Sequence, residues 1–150
     1  MLKIYLIGTG IVALTVILHA LGTIGWVKHL ARRYPEGRGL GRMRSAIHVL
    51  LTTVVVAIAL HALQIAIWAI VYVMLVPTGE FQTMEQAIYF SFVTFTTLGY
   101  GDITLSEGWR MLSGIEALNG ILLVGWTTAL LFAVVQRIWQ AMFAREQTNQ

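Results

Sequence analysis

The chain has 150 residues, 57% of them hydrophobic and only 11% charged, with a mean hydropathy of +0.75. Soluble domains carry about 25% charged residues, so the composition argues against a soluble enzyme and against a nucleic-acid-binding domain. The net charge of +3 rests on only ten Lys and Arg, and the absence of cysteine leaves no disulfide framework and no thiolate metal site.

Three apolar runs divide the chain. The first, 4–27, holds no Asp, Glu, Lys or Arg. At 1.5 Å per residue it is about 36 Å long, enough to cross a hydrocarbon core of about 30 Å. It is too long for the apolar part of a signal peptide and has no small-x-small cleavage site before the charges that follow, so it is read as retained. The second run, 49–76, is equally free of formal charge, and the third, 111–136, is interrupted only by Glu116. Each is read as a transmembrane helix. Pro35 and Pro77 lie outside all three, so none is broken by proline.

Charge placement predicts the topology. Lys28, Arg32, Arg33, Arg38, Arg42 and Arg44, six of the ten basic residues, fall between runs one and two, against the single acid Glu36. The positive-inside rule makes this loop cytoplasmic. Gly37, Gly39 and Gly41 predict that it is flexible. Its cations serve first as a topology signal and also suit anionic lipid headgroups. The segment between runs two and three holds Glu80, Glu85, Asp102 and Glu107 against Arg110 and is read as facing outward. The N-terminus is then outside, and the tail with Arg137 and Arg145 is inside. Trp26 and Trp139 fall toward the inner interface, and Trp68, Tyr72 and Trp109 toward the outer one.

The outward segment is too long for a plain hairpin loop. Its apolar stretch, 87–95, is too short to span and reads as re-entrant. Thr83-Met84-Glu85-Gln86 fits a capping box, with Thr83 accepting from the first turn and Gln86 reaching back to it. A helix over about 84–96 is predicted. After it comes Thr96-Thr97-Leu98-Gly99-Tyr100-Gly101-Asp102. Here the sequence resembles the potassium channel pore family, whose signature is Thr-Val-Gly-Tyr-Gly followed by Asp; Leu98 stands at the Val position. Residues 89–97 are also similar to that family's pore helix, in particular to the two-pore-domain branch and its bacterial relatives.

The resemblance covers 46–137 and implies an all-α membrane protein with the tetrameric potassium channel pore fold. Its parts are three transmembrane helices, a re-entrant pore helix and a selectivity filter. The expected organisation is an extra N-terminal helix over 1–27 and a basic cytoplasmic loop over 28–45. The pore domain then covers 46–137 (outer helix 46–76, pore helix 83–96, filter 97–101, inner helix 110–137), before a short tail over 138–150. The first helix lies outside the resemblance and is expected at the periphery.

Potassium in a pore exchanges its hydration shell for rings of oxygen atoms. One chain offers one strand of such oxygens, so four copies are required and a homotetramer follows. In this reading Thr97, Leu98, Gly99, Tyr100 and Gly101 coordinate K+ through their carbonyls, with the Thr97 hydroxyl adding the innermost ring. Gly99 and Gly101 take the backbone dihedrals that only glycine adopts at little cost. Tyr100 packs outward and holds the filter open. Thr96, Asp102 and Glu116 support it, with Asp102 bonded to the neighbouring pore helix. The C-terminal end of that helix points its partial negative charge at the cavity.

On the inner helix Gly120 matches the family's hinge glycine by position; it either weakens the helix there or allows close packing on the pore helix. Gly125 is a second hinge candidate. Ile121, Val124, Thr128 and Phe132 follow helical spacing and are expected to line the cavity. Val124 stands where inward rectifiers carry an acid or Asn, so strong polyamine block is not expected. Glu116 is the one formal charge inside a span and hence a functional candidate. It either braces the filter through Thr94 or Thr96 or titrates as a gate element. His19 and His61 lie mid-span. They are read as neutral and bonded to neighbouring groups, Gln64 for His61, with a proton-sensing pair as the alternative.

The expected function is a potassium-selective channel that passes dehydrated K+ passively. The alternative is a non-selective monovalent cation channel on the same scaffold, against which Tyr100 argues, since such relatives usually carry Asp there. Neither an enzyme nor a cofactor is expected; K+ ions held in the filter are the cargo. The expected partners are copies of the chain and the lipid bilayer of the plasma (cell inner) membrane, with no nucleic acid.

Overall fold

The computed structural model describes residues 2–35, 40–76 and 80–148. Glu36, Gly37, Arg38, Gly39 and Pro77, used above for charge, flexibility and helix breaks, lie outside the described residues, as does the side chain of Arg145. Four helices follow in order: α1 (Leu2–Arg33), α2 (Met43–Leu75), α3 (Met84–Phe95) and α4 (Arg110–Thr148). No strand occurs among the described residues. Three helices are long and apolar enough to cross a membrane, over Leu2–Arg33, Met43–Leu75 and Arg110–Ala144.

All three long helices run further than the apolar runs do; α2 begins at Met43, six residues before its run, and so takes in Arg44 from the end of the expected basic loop. α1 continues through Lys28–Arg33, the first part of the expected basic loop, because nothing in Lys-His-Leu-Ala-Arg-Arg breaks a helix. It stops just before Pro35, where the residue preceding proline is biased out of the α region. Arg32 and Arg33 in its last turn suit the negative end of the helix dipole. α4 likewise extends past 137 to Thr148, through residues with good helix propensity and without Gly or Pro. The expected short tail is therefore mostly helix.

The short helix α3 is capped as its sequence predicts, with one difference. Thr83 is extended (φ −139°, ψ 156°) and its hydroxyl accepts from the Gln86 amide at 3.2 Å. The Gln86 side chain, however, reaches past Thr83 to the amide of Gln82 at 2.8 Å. The loop into α4 is held by Glu80, whose carboxylate accepts from the Ser106 amide, and by Arg110, whose Nε donates to the Leu105 carbonyl at 3.0 Å.

The contacts group into two units. One takes α1 up to Leu18 and residues His61–Val124; the other takes His19–Leu60 and residues from Gly125 onward. In the first unit the core joins Ile65, Trp68 and Tyr72 of α2, Phe90 and Phe95 of α3, Leu105, and Leu112 and Leu123 of α4. Ile4, Ile11, Val12 and Val16 of α1 pack against it. Tyr72 lies at the centre of an aromatic group, edge-on to Phe90 at 5.0 Å and tilted against Trp68 and Phe81. In the second unit Leu40, Ala46, Val49, Val134 and Ile138 form the core. There Trp26 of α1 donates its indole N–H to Thr53 of α2 at 3.0 Å.

The cap sets the stability of α3's first turn. Thr83→Ala is expected to weaken that turn by about 1 kcal/mol, speeding amide exchange at 84–88 about fivefold. Thr83→Ser is expected to keep the wild-type rate.

Candidate functional site around residues 91–120

The end of α3 determines how the Thr-Leu-Gly-Tyr-Gly segment begins. The Leu98 amide donates to the Val93 carbonyl and the Thr97 amide to the Thr94 carbonyl, both at 2.9 Å. This 6→1 and 5→2 pair is a Schellman motif, whose turning residue takes the left-handed conformation. Glycine usually fills that place; here it is Thr97, at φ 59°. A β-branched residue at positive φ is a true outlier and costs on the order of 1–3 kcal/mol. Phe92, Val93 and Thr94 already accept from the amides of Thr96, Leu98 and Thr97. The last carbonyls of α3 are thus engaged by the chain itself.

Beyond Thr97 the left-handed conformation recurs at every second residue, at Gly99 (φ 58°) and Gly101 (φ 78°). The two glycines sit where glycine is needed, but Thr97 makes the alternation three members long, which reading the glycines alone does not predict. Residues 96–102 are exposed in the single chain, Tyr100 by 66% and Leu98 by 53%. An open cavity of about 540 Å³ lies beside the segment, bordered by Thr94 of α3, Gly99, Gly101, and Ser113 and Ala117 of α4.

Asp102 at the end of the segment is tied back to α3, where the Tyr89 hydroxyl donates to its Oδ2 at 2.8 Å. This bond, joined by slight desolvation and the Asp102 charge, holds the Tyr89 phenol above its ordinary value. Sequence reasoning placed Asp102 against a pore helix but did not single out Tyr89, which lies 13 residues earlier.

Glu116 is fully buried and accepts from two helices. The Tyr72 hydroxyl of α2 donates to Oε2 and the Ser91 hydroxyl of α3 to Oε1, each at 2.5 Å. Ser91 Oγ also lies 2.9 Å from the Ile65 carbonyl. The expected partners, Thr94 and Thr96, are not the ones used. Thr96 bonds instead to the Phe92 carbonyl of its own helix, the local back-bonding open to threonine. Ser91 lies nearer the middle of α3 and reaches the carboxylate, while Tyr72 was read only as an interfacial aromatic.

One turn along α4 lie Asn119 and Gly120, both buried. A Cβ on Gly120 would overlap the Phe95 carbonyl oxygen, so only glycine lets α4 and the end of α3 approach this closely. Asn119 Nδ2 donates to Thr15 Oγ1 of α1 at 2.9 Å; neither residue was singled out from sequence. His61 pairs with Gln64 at 3.1 Å and lies against Phe95. Ile121 and Val124 of the first unit are exposed. In the second unit Gly125, Thr128 and Phe132 are exposed too, and His19 is buried 3.4 Å from Thr127 and edge-on to Trp126.

With this geometry in place the comparison with known families is decisive. A family model described as "Ion channel" matches residues 58–137, just over half of the chain. The chain belongs to this ion channel family. The match falls within the stretch that resembles the potassium channel pore domain and takes in α3, the 97–101 segment, Glu116 and Gly120. No curated protein and no solved structure matches the chain. As a member of an ion channel family with three apolar helices of spanning length, it is a membrane protein of ion transport.

Two outcomes follow from these bonds. Glu116→Ala leaves the buried Tyr72 hydroxyl without an acceptor and is expected to cost about 1–3 kcal/mol in unfolding of the detergent-solubilised protein. Glu116→Gln, which keeps one acceptor oxygen, costs less, and Tyr72→Phe added to Glu116→Ala costs nothing further. For Tyr89 the raised value means that its bond to Asp102 is intact below the usual tyrosine value of about 10 and is lost only as pH rises through the higher one. Phenolate absorbance of wild type minus Tyr89→Phe is expected to titrate above that usual value, and Asp102→Asn to lower it.

Proposed function

We propose that the chain is a potassium-selective channel that assembles as a homotetramer and passes dehydrated K+ through a filter formed by Thr97, Leu98, Gly99, Tyr100 and Gly101. The observation that carries this reading is the alternation of left-handed residues at 97, 99 and 101 in a short exposed segment, launched by a capped helix, in a chain of the ion channel family. Alternating hands turn successive peptide units the same way, which is what stacked carbonyl rings require. The exposure of Tyr100 and Leu98 and the open cavity beside the segment support assembly, since large apolar groups left uncovered in one copy are natural contacts for another.

In this reading α3 is the re-entrant pore helix, and the tyrosine–aspartate bond ties the filter to it. Glu116 supports the filter indirectly, through Ser91. Ile121 and Val124, exposed on α4, line the cavity. Gly120 serves close packing, and hinge motion is left to positions such as Gly125, around which no side chain crowds. The cations of the 28–45 stretch orient the chain in the plasma (cell inner) membrane, with the N-terminus outside and the C-terminus cytoplasmic, and meet anionic lipid headgroups there.

Non-selective monovalent conduction on the same scaffold is the competing reading. Bi-ionic reversal potentials in planar bilayers separate the two. A large K+/Na+ shift and barium-blocked K+ flux in liposomes are expected, and equal permeability would establish the non-selective channel.

A further inference from the structure

We infer that Asn119 is a positioning residue through which α1 sets the seat of the 97–101 segment, an inference that rests, for its effect on conduction, on the channel reading above. Three successive observations carry it. Asn119 Nδ2 donates to Thr15 Oγ1 at 2.9 Å, with both residues fully buried. The next residue, Gly120, touches the carbonyl of Phe95, the last residue of α3. Two residues beyond Phe95 stands Thr97, held left-handed by the Schellman bonds that launch the segment. A displacement of α4 at 119–120 therefore reaches the start of the segment through one backbone contact and one strained turn.

The polar chemistry of Asn119 points to the same role. Its Oδ1 is buried and takes no hydrogen bond from the described residues. An amide half satisfied in an apolar setting carries a desolvation penalty; an apolar residue in its place would avoid it. What Asn119 contributes is a specific interhelical bond that fixes register, the best-attested use of a lone buried polar side chain. Thr15 is prepared for it. Its own proton goes to the carbonyls of Ile11 and Val12, which leaves its oxygen free to accept from α4. Gly8, two turns earlier on α1, brings that helix close to Leu112 and Ile115 of α4, so the bond is made within a tight contact.

The whole chain in detergent or liposomes tests this by amide hydrogen exchange. Thr15→Val is close to isosteric and removes the acceptor; Thr15→Ser keeps it; Asn119→Ala removes the donor. Thr15→Val and Asn119→Ala are each expected to speed exchange in the 96–102 peptide about threefold, the scale of one interhelical hydrogen bond in a membrane protein. Exchange across 45–58 stays unchanged, Thr15→Ser behaves as wild type, and the double variant is no faster than either single one. Single-channel mean open time falls by a similar factor at unchanged unitary conductance. Uniform acceleration everywhere, no acceleration at 96–102, or additive effects in the double variant would overturn the inference. If Thr15→Val fails to assemble, Thr15→Ala carries the same comparison. The exchange pattern is read without current, so variants that show the pattern beside a wild-type protein that conducts nothing sink the channel reading alone. A selective channel without the pattern sinks this inference alone.

Discussion

A carboxyl group surrounded by apolar side chains is stable only where hydrogen-bond donors replace the water it has lost. Glu116 receives two, one from Tyr72 of α2 and one from Ser91 of α3, so a single α4 side chain fixes where two other helices stand. Tyr72 is itself enclosed by Trp68, Phe81 and Phe90, and that aromatic group excludes the water that would otherwise compete for the carboxylate. The bond and the packing around it depend on each other. Moving the ring breaks the hydrogen bond, and breaking the bond leaves a polar group inside the core.

Everything near the 97–101 segment is arranged from that point. Ser91 fixes the middle of α3, Gly120 admits its end, and the Schellman bonds turn the chain at Thr97. A threonine forced left-handed stores strain that the surrounding contacts must overcome. Here the helix end, the Phe95–Gly120 contact and the Tyr89–Asp102 bond act on the two sides of the segment. The segment is thus held at both ends while its middle remains exposed.

Much of this was legible in the sequence because it depends on local patterns. Apolar run length predicted three spans, and turn chemistry around Thr83 predicted the start of α3. Gly99 and Gly101 announced positive φ because few other residues tolerate it. The Glu116 partners were missed because they are set by which faces of three helices meet, and periodicity in a uniformly apolar run does not disclose rotation. For the same reason Asn119 and Thr15 passed unnoticed, 104 residues apart. Thr97 hid its conformation because a threonine in a Schellman turn runs against local preference. Helix length was underestimated at Arg33 and Thr148 because hydropathy marks where a helix leaves an apolar run, not where it ends.

The inward face of α1 bears on how the chain is assembled during synthesis. Thr15 satisfies its own hydroxyl with carbonyls one turn back, so that part of α1 can wait in hydrocarbon without a partner. Asn119 has no such local outlet and meets Thr15 only after more than a hundred further residues have been made. α1 precedes α4 in the chain, so the helix whose hydroxyl is satisfied locally is made before the one whose amide bonds to it. A chain lacking α1 would leave the Asn119 amide without the acceptor it uses here. The extra helix is in this sense a built-in acceptor for α4, made ahead of need by the order of the sequence itself.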